Sequence, residues 1–248
     1  APNLPQPGES AIFYSNQCRQ DLRLTLLAAI NKAQKSIHLV MFGLSDKPIL
    51  RALQSKVFDY LDVKVFFDKR ASFPFFLSNE QAFSVDNNAL MHQKILIIDE
   101  ALVFLGSANL TRAAISFQDN LIIGLHSPDL ARFLRQKTPF ESGFFQTMVG
   151  GQTVEVFLLP DEQNQAFEKL RQLLRGARKK LQVAMFTLTH PLLLEEVVRA
   201  HKRGVNVEVI IDRHTALGAS AKAYAMLKSQ GVPVFVNRKN RLFHHKYL

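Results

Sequence analysis

In LLAAINKAQKSIHLVMF, residues 26–42, apolar positions at helical spacing give way to an unbroken apolar run, the pattern of a helix feeding a strand. LRQLLRGARKKLQVAMF, residues 170–186, repeats it, and the Met-Phe pairs that close the two stretches lie 144 positions apart (185 − 41). VKVFFDKR at 63–70 and VEVIIDRH at 207–214 keep that offset, so Asp68 and Asp212 are also 144 apart (212 − 68). Two agreements at one offset predict an internal duplication. A third block, MHQK and FHHK, sets His92 against His244 and Lys94 against Lys246 at an offset of 152 (244 − 92), the second copy carrying extra residues between strand and histidine. There ALGASAKAYAMLKSQGVPVFV predicts a helix stopped by glycine and then a strand, whereas the first copy holds the shorter ASFPFFLSNEQAFSV. Each half therefore reads as helix, strand, helix, strand, helix or loop, strand, and a closing His/Lys strand. This alternation predicts an α/β fold of two similar lobes, each a mixed sheet flanked by helices, over residues 1–148 and 149–248. The linker is expected in PFESGFFQTMVGGQT, 139–153, where Gly150-Gly151 breaks regular pattern.

The first His/Lys strand, MHQKILIIDEALVFLGSANLT at 91–111, begins with two groups that are expensive to bury. Side chains alternate across a strand, so His92 and Lys94 share a face with Leu96 and Ile98, while Asp99 falls on the other and is expected to tie the strand to its neighbours. The Gly-Ser-Ala-Asn turn that follows offers a hydroxyl and an amide, Ser107 and Asn109, able to hydrogen-bond an anionic oxygen without adding charge. Together these residues predict an anion site.

Composition narrows the class of partner. The 248 residues carry a formal charge of +10, which favours nucleic acid, anionic headgroups or other phosphorylated substrates. Cys18 is the single cysteine, so an internal disulfide and a sulfur-held metal are both excluded. The longest apolar runs fall short of the roughly 18–20 residues of a membrane-spanning helix. The first seven residues hold three prolines and no initiating methionine, which suggests a segment removed upstream, by a signal peptidase or by the cloning design; an exported or membrane-surface location is the expectation.

The spacing H-x-K-x4-D-x6-G-S-x-N, met at every position by His92, Lys94, Asp99, Gly106, Ser107 and Asn109, resembles the motif of the phospholipase D superfamily. Six specified residues at fixed offsets arise by chance at roughly one start in tens of millions. FHHK begins a second copy, which the end of the sequence at Leu248 cuts three positions before its aspartate. The resemblance implies two lobes related by a pseudo-twofold axis, the active site at their interface, and His92 and His244 facing each other over one phosphate. It implies a phosphohistidine intermediate, one histidine attacking phosphorus and the other protonating the leaving oxygen, with no metal or cofactor. Lys94, Lys246, Ser107 and Asn109 would bind the substrate phosphate, Asp99 and Gly106 would be structural, and Asp119, in FQDNLIIG, is the best match for a carboxylate that holds a catalytic histidine. The chain is expected to be a monomer containing an internal pseudo-dimer.

Three functions compete on this basis. One is a phospholipid phosphodiesterase, hydrolysing or exchanging a headgroup. Another is a metal-independent nuclease using the same histidines, and the third a catalytically impaired binding module. The Phe-rich SFPFFL at 72–77, beside Lys69 and Arg70, suits a membrane interface. The basic NRKNR at 237–241, leading into His244, could draw in an anionic substrate. His38, His126, His190, His201 and His214 read as satisfied core or surface residues. Asp68 and Asp212, at strand ends beside basic residues, read as structural.

Overall fold

The computed structural model describes residues 2–238 and 240–248, so Lys239 of the NRKNR run lies outside the described residues. The chain divides into two compact units, 1–160 and 161–248.

The first unit runs β1 (Ile12–Ser15), α1 (Leu22–Lys32), β2 (Ser36–Met41), α2 (Lys47–Phe58), β3 (Asp62–Asp68), β4 (Ala82–Val85), β5 (Lys94–Ile98), β6 (Leu102–Gly106), α3 (Arg112–Phe117), β7 (Leu121–His126), α4 (Pro128–Gln136), β8 (Gly143–Val149) and β9 (Gln152–Leu158). Seven strands form one sheet in the order β1-β7-β6-β5-β2-β3-β4. β2, β3 and β4 are parallel, and β5, β6, β7 and β1 continue antiparallel, so the sheet is mixed. Both faces are buried, which is why β2 and β5 read as continuous apolar runs. Ile37, Leu39, Leu96 and Ile98 pack under α1 and α2. Val40, Ile95 and Ile97 point the other way, against Leu130 and Leu134 of α4 and against Val149 and Leu158 of the β8–β9 pair.

That last contact moves the boundary. β8 and β9 form an antiparallel hairpin with Val149 opposite Gln152, and Gly150 and Gly151 both take positive φ (53° and 76°), as a two-residue turn matched to strand twist requires. The glycine pair expected to mark a linker is thus a hairpin tip. The hairpin buries its apolar side on the first unit, so the division falls after Pro160 and not near residue 148.

The second unit runs α5 (Gln165–Gly176), β10 (Lys180–Met185), α6 (Pro191–Lys202), β11 (Asn206–Ile211), the short α7 (Arg213–Ala216), α8 (Ala221–Ser229), β12 (Val234–Val236) and β13 (Lys246–Tyr247). Its sheet order is β12-β11-β10-β13, with β10, β11 and β12 parallel and β13 antiparallel to β10. The first unit shows the same relation among β4, β3, β2 and β5, so the duplication read from the sequence holds for these four strands. Leu181, Val183, Val207, Val209 and Ile211 bury one face beneath α5, α6 and α8. The insertion in the second copy is α7 and α8, where the first copy has an irregular loop before β4.

His38 of β2 does not keep the satisfied reading. It is buried beside Phe66 (ring centroids 5.4 Å apart), and neither ring nitrogen has a hydrogen-bond partner among the described residues. Burial pushes it down to about 4, with Arg135 and Lys64 acting in the same direction and Asp62 against them. The folded state therefore takes a proton less readily than the unfolded chain, whose histidine titrates near 6.5. This contribution is fully present above pH ~6.5 and is lost as pH falls toward 4, in total about 3 kcal/mol. Urea unfolding at neutral pH and at a pH just above 4 is expected to show the loss, and His38→Leu to remove most of it; an equal loss in the variant would refute the assignment.

Candidate active site

His92 sits just ahead of β5, where the β2–β5 pairing continues one step beyond the strands through Phe42 N–H donating to Gln93 O (3.1 Å). Its exposed imidazole meets the Phe42 ring in a tilted edge contact, centroids 4.9 Å apart. Lys94, two residues on, is buried. Its ammonium donates to the His92 carbonyl (2.8 Å) and lies 5.4 Å from the centre of the same phenyl ring. A buried ammonium over an aromatic face gains cation–π stabilisation where water is scarce. The two side chains thus share a face, as alternation requires.

The second unit repeats each contact. The His244 and Phe186 rings are 5.0 Å apart, Lys246 Nζ donates to His244 O (2.9 Å) and lies 5.3 Å from the Phe186 ring centre, and Phe186 N–H donates to His245 O (2.7 Å). His244 is buried. Lys246 is exposed as a residue, yet desolvation around its amine brings the pKa down to about 8.

An aspartate holds the backbone just before each histidine. Asp68, at the end of β3 and fully buried, accepts from Met91 N–H (3.2 Å) and is gripped by Arg70. Arg70 keeps this carboxyl down at about 2. Asp212, likewise buried at the end of β11, accepts from Phe243 N–H (2.8 Å) and from His214 and Thr215 N–H. Met91 and Phe243 are the residues before the two histidines, so the structural reading of these aspartates is met in a specific form. Hydroxyls complete the frame. Ser72 donates to Phe42 O and accepts from Leu44 N–H; in the second unit Thr215 donates to Phe186 O while Ser220 accepts from Leu188 N–H. The phenylalanines and this framing were missed from sequence, although both Met-Phe pairs stood at the repeat offset.

The Gly-Ser-Ala-Asn turn is clamped to the extension of β2, with Leu110 N–H donating to Gly43 O (2.8 Å). Gly43 N–H donates to Asn109 Oδ1 (3.2 Å), which fixes the orientation of the amide and leaves its NH2 group without a protein acceptor among the described residues. A side chain at Gly43 would press on Asn109, and one at Gly106 would lie 2.3 Å from Leu121 O, so close approach explains both glycines. Ser107 departs from the expected phosphate role: its hydroxyl donates to Asn120 Oδ1 (2.9 Å) and accepts from Leu121 N–H (3.0 Å), satisfied within the fold. Asp99 lies in the left-handed region (φ 53°), and its carboxylate accepts from Gln34, Lys35 and Ser36 N–H, tying the end of β5 to the start of β2 as expected. Asp119 is buried between α3 and β7.

With this geometry in place, the comparisons speak to descent. Residues 26–139 and 170–248, most of the chain, match the family described as cardiolipin synthase, PLD-like domain. The chain belongs to the phospholipase D superfamily. Among superfamily relatives, a protein named mitochondrial cardiolipin hydrolase from Xenopus tropicalis is 33% identical over 127 residues, covering 48% of this chain and 59% of that protein, so the match spans less than two thirds of the relative's length. The solved phosphatidylserine synthase of Haemophilus influenzae Rd KW20 is 14% identical and aligns over 98% of this chain and 76% of its own, with a TM-score of 0.69. Yeast tyrosyl-DNA phosphodiesterase is 12% identical over 96% of this chain and 76% of its own, with a TM-score of 0.52. At such identities these last two speak for the phospholipase D fold.

Proposed function

We propose that the chain is the catalytic part of a phospholipase D-type phosphodiesterase that opens a phospholipid phosphodiester through a phosphohistidine. The observation that carries the reading is the repeated His–Phe–Lys arrangement, reproduced in two units down to individual hydrogen bonds. One imidazole nitrogen attacks phosphorus as the bond to the leaving oxygen breaks, and the second histidine gives that oxygen its proton. Water then attacks phosphorus, its proton passing to the second histidine as the new P–O bond forms, and the P–N bond breaks to release the first. In the first unit Lys94 and the Asn109 amide meet the charge that develops on the non-bridging oxygens, the part that Lys246 would play for the second histidine. Asp119 is the candidate carboxylate partner for a histidine.

The lipid reading is supported by the SFPFFL loop. Phe73 and Phe75 are exposed, stacked with centroids 6.0 Å apart, and directly follow Ser72, whose hydroxyl holds the Phe42 carbonyl. A second reading, nuclease action by the same groups, draws support from the net charge of +10. The test is to incubate the full chain in EDTA with cardiolipin, phosphatidylcholine, phosphatidylglycerol and single-stranded DNA in parallel, cardiolipin being included because of the relative's name. Release of a phosphatidyl product with undiminished rate in chelator is the expected result. Turnover that stops in EDTA and returns with a divalent ion would refute the phosphohistidine route, and cleavage of DNA alone would select the nuclease.

A further inference from the structure

Alongside His92 the first unit carries an open trough of about 470 Å3, within the size range of small-molecule sites. Leu90, Phe140, Phe157, Leu159 and Pro160 dominate its wall, and among the described residues no lysine, arginine or carboxylate lines it. Leu90, at 55%, and Leu159, at 59%, remain open to water, and Pro160 beside Leu159 is exposed too. Phe140 adopts φ 70°, a left-handed conformation that a bulky residue reaches only under constraint, and such outliers concentrate where ligands are held.

We propose that this trough binds the hydrocarbon-bearing side of the substrate, the acylated glycerol joined to the phosphate that His92 reaches. The inference rests on the phosphodiesterase reading and deepens it by assigning the acyl side of the substrate to named residues of the first unit. A reacting group at one end and an apolar wall beyond it fit a molecule that is charged at one point and oily past it. A nucleic acid leaving His92 by this route would set its next phosphates against a wall without a cation, the reverse of what polyanion binding requires. An acyl chain would instead cover the exposed Leu90 and Leu159 and remove apolar surface from water.

The test uses the full chain and soluble phosphatidylcholines from dibutanoyl to dioctanoyl, held below their micellar concentrations so that no surface contributes. Bis(p-nitrophenyl) phosphate and a single-stranded DNA are assayed in parallel. Along the lipid series kcat/KM is expected to rise about tenfold or more. Leu159→Glu is expected to flatten that rise and to lower the dioctanoyl to bis(p-nitrophenyl) phosphate ratio about tenfold, with Leu159→Ala falling between. Thermal unfolding of each variant checks the fold. A rate indifferent to chain length in the parent, an undiminished rise in folded Leu159→Glu, or preference for DNA over every lipid would overturn the trough. Silence on every phosphodiester would overturn the reading of His92 itself, and the trough with it.

Discussion

On the proposed phosphohistidine route, His92→Ala is expected to lower phosphodiester turnover about ten-thousandfold, and His244→Ala by a comparable factor, because that route needs both a nucleophile and a proton donor. The two losses should differ in kind. Removing the nucleophile abolishes the covalent intermediate on every substrate. Removing the acid leaves attack on phosphorus intact, so a substrate with a good leaving group, such as a p-nitrophenyl ester, should still label the protein. Rapid quench in alkaline detergent with radiolabelled substrate, followed by mapping of the acid-labile, base-stable phosphate to a histidine peptide, distinguishes the cases. Persistence of a labelled intermediate in both single variants would exclude a phosphohistidine at either position.

The second large effect is expected away from the phosphate. Asp68→Ala should lower kcat about a hundredfold with little change in KM, because it frees the Met91 N–H and lets His92 drift, and displacements near 1 Å cost factors of this size. It should also lower stability by about 2–3 kcal/mol, since it removes the partner of Arg70 and leaves a buried N–H unsatisfied. Asp212→Ala should do likewise through Phe243 N–H. Asp68→Asn, which keeps one oxygen acceptor, should recover part of kcat, a graded rescue that general destabilisation would not give. Because Arg70 holds Asp68 near 2, its folded pKa lies below the unfolded value of ~3.9, so its stabilising contribution is present above about pH 4 and fades only as pH falls toward 2. That window lies below the one set by His38. A pH–rate limb near neutrality would thus belong to other groups.

What could be read from the sequence was whatever repeats or has fixed spacing. The two Met-Phe pairs, Asp68 with Asp212, and the His-x-Lys pairs fix the order of strands in both units, and alternation alone puts His92 and Lys94 on one side. Contacts made through space were not legible. Nothing in the chain order joins Asp68 to Met91, or Ser107 to Asn120, and a turn serine looks the same whether its hydroxyl faces a ligand or a neighbouring amide. The hairpin was legible in principle: Gly150-Gly151 stands between FFQTMV and QTVEVF, two alternating stretches, and that flanking pattern distinguishes a strand reversal from a linker.

The hydrogen bond from Lys94 to the His92 carbonyl means that the cationic group and the histidine beside it are not independent variables. Removing the ammonium withdraws a charge from the substrate and also a tether from the imidazole's own backbone, so Lys94→Ala and His92→Ala draw on overlapping losses. Their double-mutant cycle should be strongly non-additive, the pair losing barely more than His92→Ala alone. The His-x-Lys tripeptide and the phenylalanine across from it thus behave as one coupled piece, and this chain contains that piece twice.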